Sequence, residues 1–402
     1  MKKLILFGLM IGMTVISKGD SWTRKADFGG GGRYGTVGFS IGAKGYIGIG
    51  HDTGSTFYKD FWEYDSNTNT WSQLADYGGG YRTDGVGFST YNEGFIATGL
   101  GTSGYYNDLW NYNPINNTWT QKTNFGGLAR GVASCFTIDT NAFVGLGVNH
   151  NANSYYNDFW EYNAGTDTWT QKADFTGGTR ANAIGFSIGT KGYFGCGESN
   201  NFTVYYNDFW EYDPSTNNWT QKLNFPGAKR SDATGLSIGQ KGYIGFGIDS
   251  MIQYHYDFWE YNPINNSWVQ KSNLTGVNGF VTVGFSIGTN GYFGTGVTVK
   301  EFWEYTPDTT SGIPQLTNPI KTTLYPNPFS TQTTLTISGI VETHCNASLQ
   351  IYDASGKEVS RTCGTIGDKK QITINRAGLE NGVYFIELMI GEERMVKKMV
   401  VD

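Results

Sequence analysis

The sequence predicts an all-β chain in two parts: a closed ring of six repeated four-stranded sheets, then a small β-sandwich. Three observations predict it. All twelve tryptophans fall into two periodic sets. Glycine is abundant and proline scarce, 57 against 9 in 402 residues, with aromatics at 16%, a balance that favours strands and turns over helices or disorder. After Pro307 the period stops and a different strand pattern takes over.

In chain order, Lys2 and Lys3 precede an apolar run from Leu4 to Ile16, with the small residues Ser17 and Gly19 behind it. That is the pattern of a secretory signal peptide, residues 1–19, cleaved before Asp20. No cysteine stands at the junction to carry a lipid anchor, and no internal apolar run is long enough to span a bilayer.

The repeat region is 20–307. One tryptophan series is Trp62, Trp110, Trp160, Trp210, Trp259 and Trp303, spaced by 48, 50, 50, 49 and 44 residues; the other is Trp22, Trp71, Trp119, Trp169, Trp219 and Trp268. A period of this size marks an array or a propeller. In the first unit, Gly38-Phe39-Ser40-Ile41-Gly42 leads to Gly45-Tyr46-Ile47-Gly48-Ile49-Gly50. A variable loop follows, then Asp60-Phe61-Trp62-Glu63-Tyr64, a polar turn and Trp71-Ser72-Gln73. Short aromatic or β-branched runs between Gly, Asn and Asp are strands joined by tight turns. Each unit is thus a four-stranded antiparallel sheet with two faces to cover, and radial stacking covers them.

The ends of the region are out of phase. Trp22-Thr23-Arg24-Lys25 has no strand before it to pair with, and Glu301-Phe302-Trp303-Glu304-Tyr305 has none after it. Trp22 is therefore expected beside Phe302 to Tyr305, completing the sixth sheet and leaving no open edge.

The glycines after the second strand and the Tyr-to-Trp spacing of the DFWEYDPxTNxW run resemble the kelch repeat over residues 20–307. The sequence departs from that pattern in carrying Gly-x-Gly (Gly48/Gly50, Gly99/Gly101, Gly145/Gly147) in place of a double glycine. The resemblance implies a six-bladed kelch-like β-propeller closed by its amino-terminal strand.

Residues 308–323 are rich in Thr, Pro and Ser and read as a linker. From 324 to 402, Leu324-Tyr325-Pro326-Asn327-Pro328-Phe329, Leu349-Gln350-Ile351-Tyr352-Asp353, Gly382-Val383-Tyr384-Phe385 and Met395 to Val401 alternate as an Ig-like β-sandwich would. These motifs, in this order, resemble the carboxy-terminal type A sorting domain of the type IX secretion system of Bacteroidetes-type bacteria. The resemblance implies that the type IX machinery is a partner through residues 324–402. It also implies passage through periplasm and outer membrane to the surface of a Gram-negative cell, or release.

Charge narrows the partners. From Asp20 to Ile320 there are 17 Lys+Arg against 26 Asp+Glu, and 9 against 9 beyond. A strongly acidic repeat region repels phosphate backbones, which excludes nucleic acid as a partner.

Several motifs suggest chemistry and fail on context. Gly38 to Gly42 fits G-x-S-x-G, but a nucleophile elbow needs a helix after the serine, and here a strand follows in several units. Gly99 to Gly104 fits G-x-G-x-x-G without a βαβ unit. His51, His150 and His255 occupy loops at unequal offsets, and no metal set is assigned. Cys345 and Cys363 flank a hairpin of an exported domain and form a candidate disulfide, whereas Cys135 and Cys196 read as small buried apolar residues. No cofactor and no catalytic residue is assigned.

The recurring polar residues are Arg33, Arg82, Arg130, Arg180 and Arg230, each five positions past the aromatic that ends a sheet; the sixth unit has Gly279 there. The kelch resemblance places such arginines at the mouth of the ring, where guanidinium groups would cradle an anionic ligand. Asp60, Asp108, Asp158, Asp208 and Asp257 recur with them, and the unit without the arginine has Glu301 instead. Internal Arg–Asp pairing is the alternative. Tyr106, Tyr156 and Tyr206 recur before the third strand, suited to stacking on a sugar or to packing. Asp84, Asp232 and Glu198 stand apart because their positions do not repeat in every unit.

Three functions follow from these features: a surface module binding a carbohydrate or another extracellular polymer, a structural scaffold, or an enzyme. The kelch resemblance implies a sugar-acid mutarotase for the last, which would need a general acid or base from among Asp84, Asp232 and Glu198.

Overall fold

The computed structural model describes residues 19–90, 92–275, 283–296, 300–308, 321–338, 346–354, 357–365, 371–376, 378–390 and 393–402. The signal peptide expected over 1–19 lies, but for Gly19, outside them, as does most of the expected linker. The chain divides into two units, Met1–Thr309 and Thr310–Asp402.

The first unit contains six four-stranded antiparallel sheets among the described residues. The first sheet runs Val37–Ile41, Lys44–Gly48, Phe61–Asp65, Thr70–Gln73, in chain order from the innermost strand outwards. The next four sheets repeat that order, beginning at Val86–Thr90, Ser134–Ile138, Ile184–Ile188 and Thr234–Ile238. The last sheet is Val283–Ile287, Asn290–Gly294, Phe302–Thr306 and then Ser21–Arg24, the amino-terminal strand. Trp22 lies opposite Tyr305 in its register. Innermost strands touch in sequence from sheet to sheet, and the last touches the first. The arrangement is all-β and propeller-like.

Packing between neighbouring sheets explains the repeated residues. Phe61, Tyr64, Phe159, Tyr162, Phe209, Tyr212, Phe258, Tyr261 and their equivalents are fully buried, each against the aromatic residues of an adjacent sheet. Burial of such rings supplies most of the cohesion, with edge-to-face geometry adding to it. Glycine is required where the innermost strand of one sheet crowds the second strand of the next: a Cβ on Gly192, in Lys191–Gly195, would lie 2.0 Å from Cζ of Phe136. The serines of the G-x-S-x-G runs lie on these innermost strands, and no helix follows them.

The Gly-x-Gly reading needs one correction. In the second unit the aligned residues are Ala97, Thr98 and Gly99, not Gly99 and Gly101, because Glu93–Ala97 ends where Lys44–Gly48 ends in the first. The second glycine of each pair has a φ between +91° and +103° at Gly50, Gly99, Gly147, Gly197 and Gly247, a region that side chains disfavour. From there the N–H groups of Gly50, Gly99, Gly147 and Gly197 donate to the carbonyl of the next unit's arginine.

In the second unit, Lys321–Tyr325, Gln332–Ser338 and Gln371–Asn375 form one sheet. Glu358–Thr365, Asn346–Asp353, Gly382–Ile390 and Glu393–Val401 form another. Both sheets contribute to one apolar core, with Leu335 and Ile374 from the first meeting Leu349, Ile351, Ile386 and Met399 from the second. The first strand starts at Lys321, ahead of the expected Leu324. Cys345 lies outside the described residues, so the candidate Cys345–Cys363 disulfide is not addressed by the structure.

Candidate functional site

The five arginines are not at the solvent face. Arg33, Arg82, Arg130, Arg180 and Arg230 are at most 1% exposed. Each forms a bidentate pair with the aspartate that opens the third strand of its own unit. Arg82 reaches Asp108 at 2.7 and 3.0 Å, Arg230 reaches Asp257 at 2.6 and 3.1 Å, and Arg33, Arg130 and Arg180 hold Asp60, Asp158 and Asp208 in the same way. The same aspartates accept the indole N–H of Trp62, Trp110, Trp160, Trp210 and Trp259. That shared acceptor is why Asp-Phe-Trp recurs as a block.

Tyr106, Tyr156 and Tyr206 lie over the guanidinium planes of Arg82, Arg130 and Arg180 at 3.9, 4.0 and 3.9 Å, as Tyr58 lies over Arg33. A second aromatic, such as Phe175 at 4.9 Å from Arg180, adjoins each of these four guanidinium groups, and Phe225 adjoins that of Arg230. A guanidinium that is almost fully buried and forked to a carboxylate is committed to the scaffold, although Arg82 Nε and Arg180 Nε have no hydrogen-bond partner among the described residues. The arginines expected to cradle an anion are thus buried and ion-paired, and each of the three tyrosines expected as a sugar platform packs on a guanidinium while remaining half-buried. In the sixth unit, Glu301 cannot reproduce the fork, and both Glu301 Oε2 and Trp303 Nε1 are buried without a hydrogen-bond partner among the described residues.

The functional geometry starts two residues further on. Gly35, Asp84, Val132, Asn182 and Asp232 each follow an arginine by two positions, and each has a φ between +46° and +63°. That left-handed turn points the backbone around the axis: Asp84 N–H donates to Gly35 O, Val132 to Asp84, Asn182 to Val132 and Asp232 to Asn182, at 2.8 to 3.3 Å. The side chains of this collar and their neighbours line a cavity of about 160 Å³. Asp84, Asn182, Asp232 and Tyr34 supply its polar wall; Val132, Ala133, Ala183 and Ala233 supply its apolar one.

Asp84 and Asp232 are half-buried in the wall of this cavity. Burial pushes the Asp84 carboxyl up to about 7, and the charge of Asp232 adds to the shift. Burial likewise raises Asp232. Glu198 is fully buried, within the field of Asp232. Its Oε2 accepts from the Tyr155 hydroxyl at 3.0 Å and from Phe202 N–H at 3.3 Å, while Oε1 has no partner. Burial, with Asp232 adding, pushes this carboxyl also to about 7, against the hydrogen bonds that pull it down. Asp84 and Asp232 thus share the cavity, and Glu198 lies within the field of Asp232. Asn182 and Tyr34 escaped sequence reasoning; aligning the units on their arginines would have exposed the Gly, Asp, Val, Asn, Asp column.

The histidines do not converge. His51 Nδ1 is 2.7 Å from Thr83 Oγ1, His255 Nε2 is 3.1 Å from Asp249, and His150 stacks on Phe202. Among the described residues no group of three His, Cys, Asp or Glu is placed to hold a metal ion. Burial pushes Cys135 and Cys196 to about 12, which keeps both as inert thiols.

Comparison with known proteins adds two findings. Residues 323–402 match the family model of the secretion system C-terminal sorting domain. The chain is exported. That domain makes it cargo of a type IX secretion system, secreted or held at the cell surface, and no helix among the described residues is long and apolar enough to cross a membrane. A search of curated proteins gives no match. Among solved structures, the one titled "Structure of YjhT" is similar with a TM-score of 0.58 at 14% identity, over 70% of this chain and 96% of that one. At that identity the likeness shows the fold alone.

Proposed function

We propose that the repeat region is a six-bladed, kelch-like propeller that binds a carbohydrate or another extracellular polymer outside the cell, carried there by an Ig-like sorting domain. The observation that carries this reading is the axial pocket. It gathers polar groups that the scaffold does not use, in a region where every repeated arginine and aspartate is already paired. A purely structural ring has no need of enclosed carboxylates, which cost stability unless a partner compensates them. The acidic pocket equally disfavours the sugar-acid enzyme. Its described lining contains no Lys or Arg to hold a substrate carboxylate, and two aspartates would repel one.

A glycan array probed with the mature chain tests the proposal. Binding to a defined subset of glycans that is weakened in an Asp84→Asn/Asp232→Asn variant is the expected outcome. No retained glycan would favour the scaffold. Accelerated anomer exchange of a uronic or sialic acid, followed by NMR, would favour the enzyme.

A further inference from the structure

The pocket's chemistry narrows its ligand further, granted that it is a binding site at all. Asp84 and Asp232 face one small cavity from different units. Each feels burial, and Asp84 also feels the charge of Asp232. A second observation stands apart from this pair: Glu198 is 0% exposed and its Oε1 has no hydrogen-bond partner. Its carboxyl lies against the Asn182 amide and within the field of Asp232, both of which line the cavity. An unsatisfied buried carboxylate oxygen is expensive, and this one belongs to a side chain packed behind two residues of the pocket wall, Asn182 and Asp232.

What would satisfy these groups is a compact cation with several donors. No grouping of ligands suits a metal ion among the described residues. A guanidinium is planar and wants a fork of the kind that the aspartates Asp60 to Asp257 already provide for arginine. A primary ammonium carries three N–H donors on a point charge, which fits two carboxylates and one amide oxygen arranged around a space. The cavity of about 160 Å³ has room for about five waters at about 30 Å³ each, the scale of one sugar ring or the end of a short alkyl chain.

We propose that the axial pocket is a primary-ammonium site, in which Asp84, Asp232 and Asn182 receive the ammonium of an amino sugar with Glu198 behind them. One entering charge relieves the repulsion within the pair and replaces the proton that the site otherwise retains. The remaining ionisable groups around it leave that exchange unopposed. Tyr34, Tyr105 and Tyr205 are raised further from neutrality by burial and by these carboxylates, and burial lowers His51. Arg82, on the same turn as Asp84, is committed to Asp108. Residues 276–282, outside the described residues, contain no ionisable side chain in the sequence.

The test is calorimetry on the mature chain with glucosamine, N-acetylglucosamine, glucose, glucuronate and the side-chain amine of N-α-acetyl-lysine amide. At pH 7 glucosamine is expected to bind at least about tenfold more tightly than its acetylated, neutral and acidic counterparts, since loss of a charge-assisted contact is of that order. Its affinity should fall about tenfold on going to pH 5.5 as the carboxyls take up protons. Asp84→Asn and Asp232→Asn should each abolish the preference while the variants remain folded by circular dichroism. If the lysine amide binds as tightly as glucosamine, the ammonium site stands and its natural source is a peptide. Glucose or N-acetylglucosamine binding as well as glucosamine would overturn the ammonium site and leave the carbohydrate module intact. No binding by either amine would overturn it too, with the glycan array still deciding the broader function. A preference that survives in both Asn variants would place the site elsewhere and overturn the proposal.

Discussion

Asp84 and Arg180 show the two ways in which this ring treats a buried charge. Arg180 is enclosed, forked to Asp208 and sandwiched by Phe175 and Tyr206. Arg180→Ala strands Asp208 and should cost about 3–5 kcal/mol in denaturant unfolding. Arg180→Lys should recover only part of this, because an ammonium cannot reproduce the fork. Asp84 has no such partner. Its folded value, raised to about 7 by burial and by Asp232, exceeds the unfolded one, so its ionisation works against folding. The penalty is absent below about pH 4 and grows as pH rises to about 7. Asp84→Asn is therefore expected to stabilise the protein at pH 8, by on the order of 2–4 kcal/mol, and to leave it unchanged at pH 4. Thermal melts at the two pH values check this. Asparagine also accepts the left-handed backbone at position 84, where φ is +58°.

The amino-terminal strand is the element on which closure depends. Beyond the register of Trp22 with Tyr305, the strand brings a substitute for a missing turn. In the other units, the turn before the outer strand supplies Asn69, Asn117, Asp167, Asn217 or Asn266. That side chain accepts from the tyrosine of its own sheet and from a backbone N–H of a neighbouring one. The sixth sheet has no such turn, and Asp20 fills the role: it accepts from Ser272 N–H at 2.7 Å, the Ser272 hydroxyl at 3.0 Å and the Tyr305 hydroxyl at 3.2 Å. Burial alone would raise the Asp20 carboxyl, but the Ser272 and Tyr305 hydrogen bonds outweigh it and hold the group below the usual carboxylate range. With a depressed folded value the sign is opposite to that of Asp84: the contribution is complete above about pH 4 and is lost as pH falls through the folded value. Asp20→Ala is expected to cost about 1–3 kcal/mol at pH 7 and to speed hydrogen exchange in Phe302–Thr306, with little effect in the other sheets. Uniform destabilisation without local exchange would contradict the clasp.

At the scale of the molecule, the repeat was legible because its causes are local. Tryptophan spacing, turn residues and the out-of-phase ends determine a unit and its boundary, and the joint change from Arg and Asp to Gly279 and Glu301 anticipated a pair. The site was less legible because it is made between units. Asp84 and Asp232 are far apart in sequence, and only the curvature of the ring brings both to one cavity. The arginines recur for a related reason. Recurrence marks what every unit needs, which is scaffold, whereas a ligand on the axis of a six-fold repeat meets whatever varies from unit to unit. The Gly35, Asp84, Val132, Asn182, Asp232 collar is that variation on an invariant backbone turn.

The claim beneath all of this is that the ring gathers non-repeated carboxylates into one pocket. Carbon-detected NMR of labelled aspartate carboxyls measures it without knowledge of any ligand, with Asp84→Asn used to assign the resonance. Asp84 is predicted to titrate near 7 and to move towards the ordinary aspartate value in Asp232→Asn. A resonance that titrates near 4, indifferent to Asp232, would contradict the account.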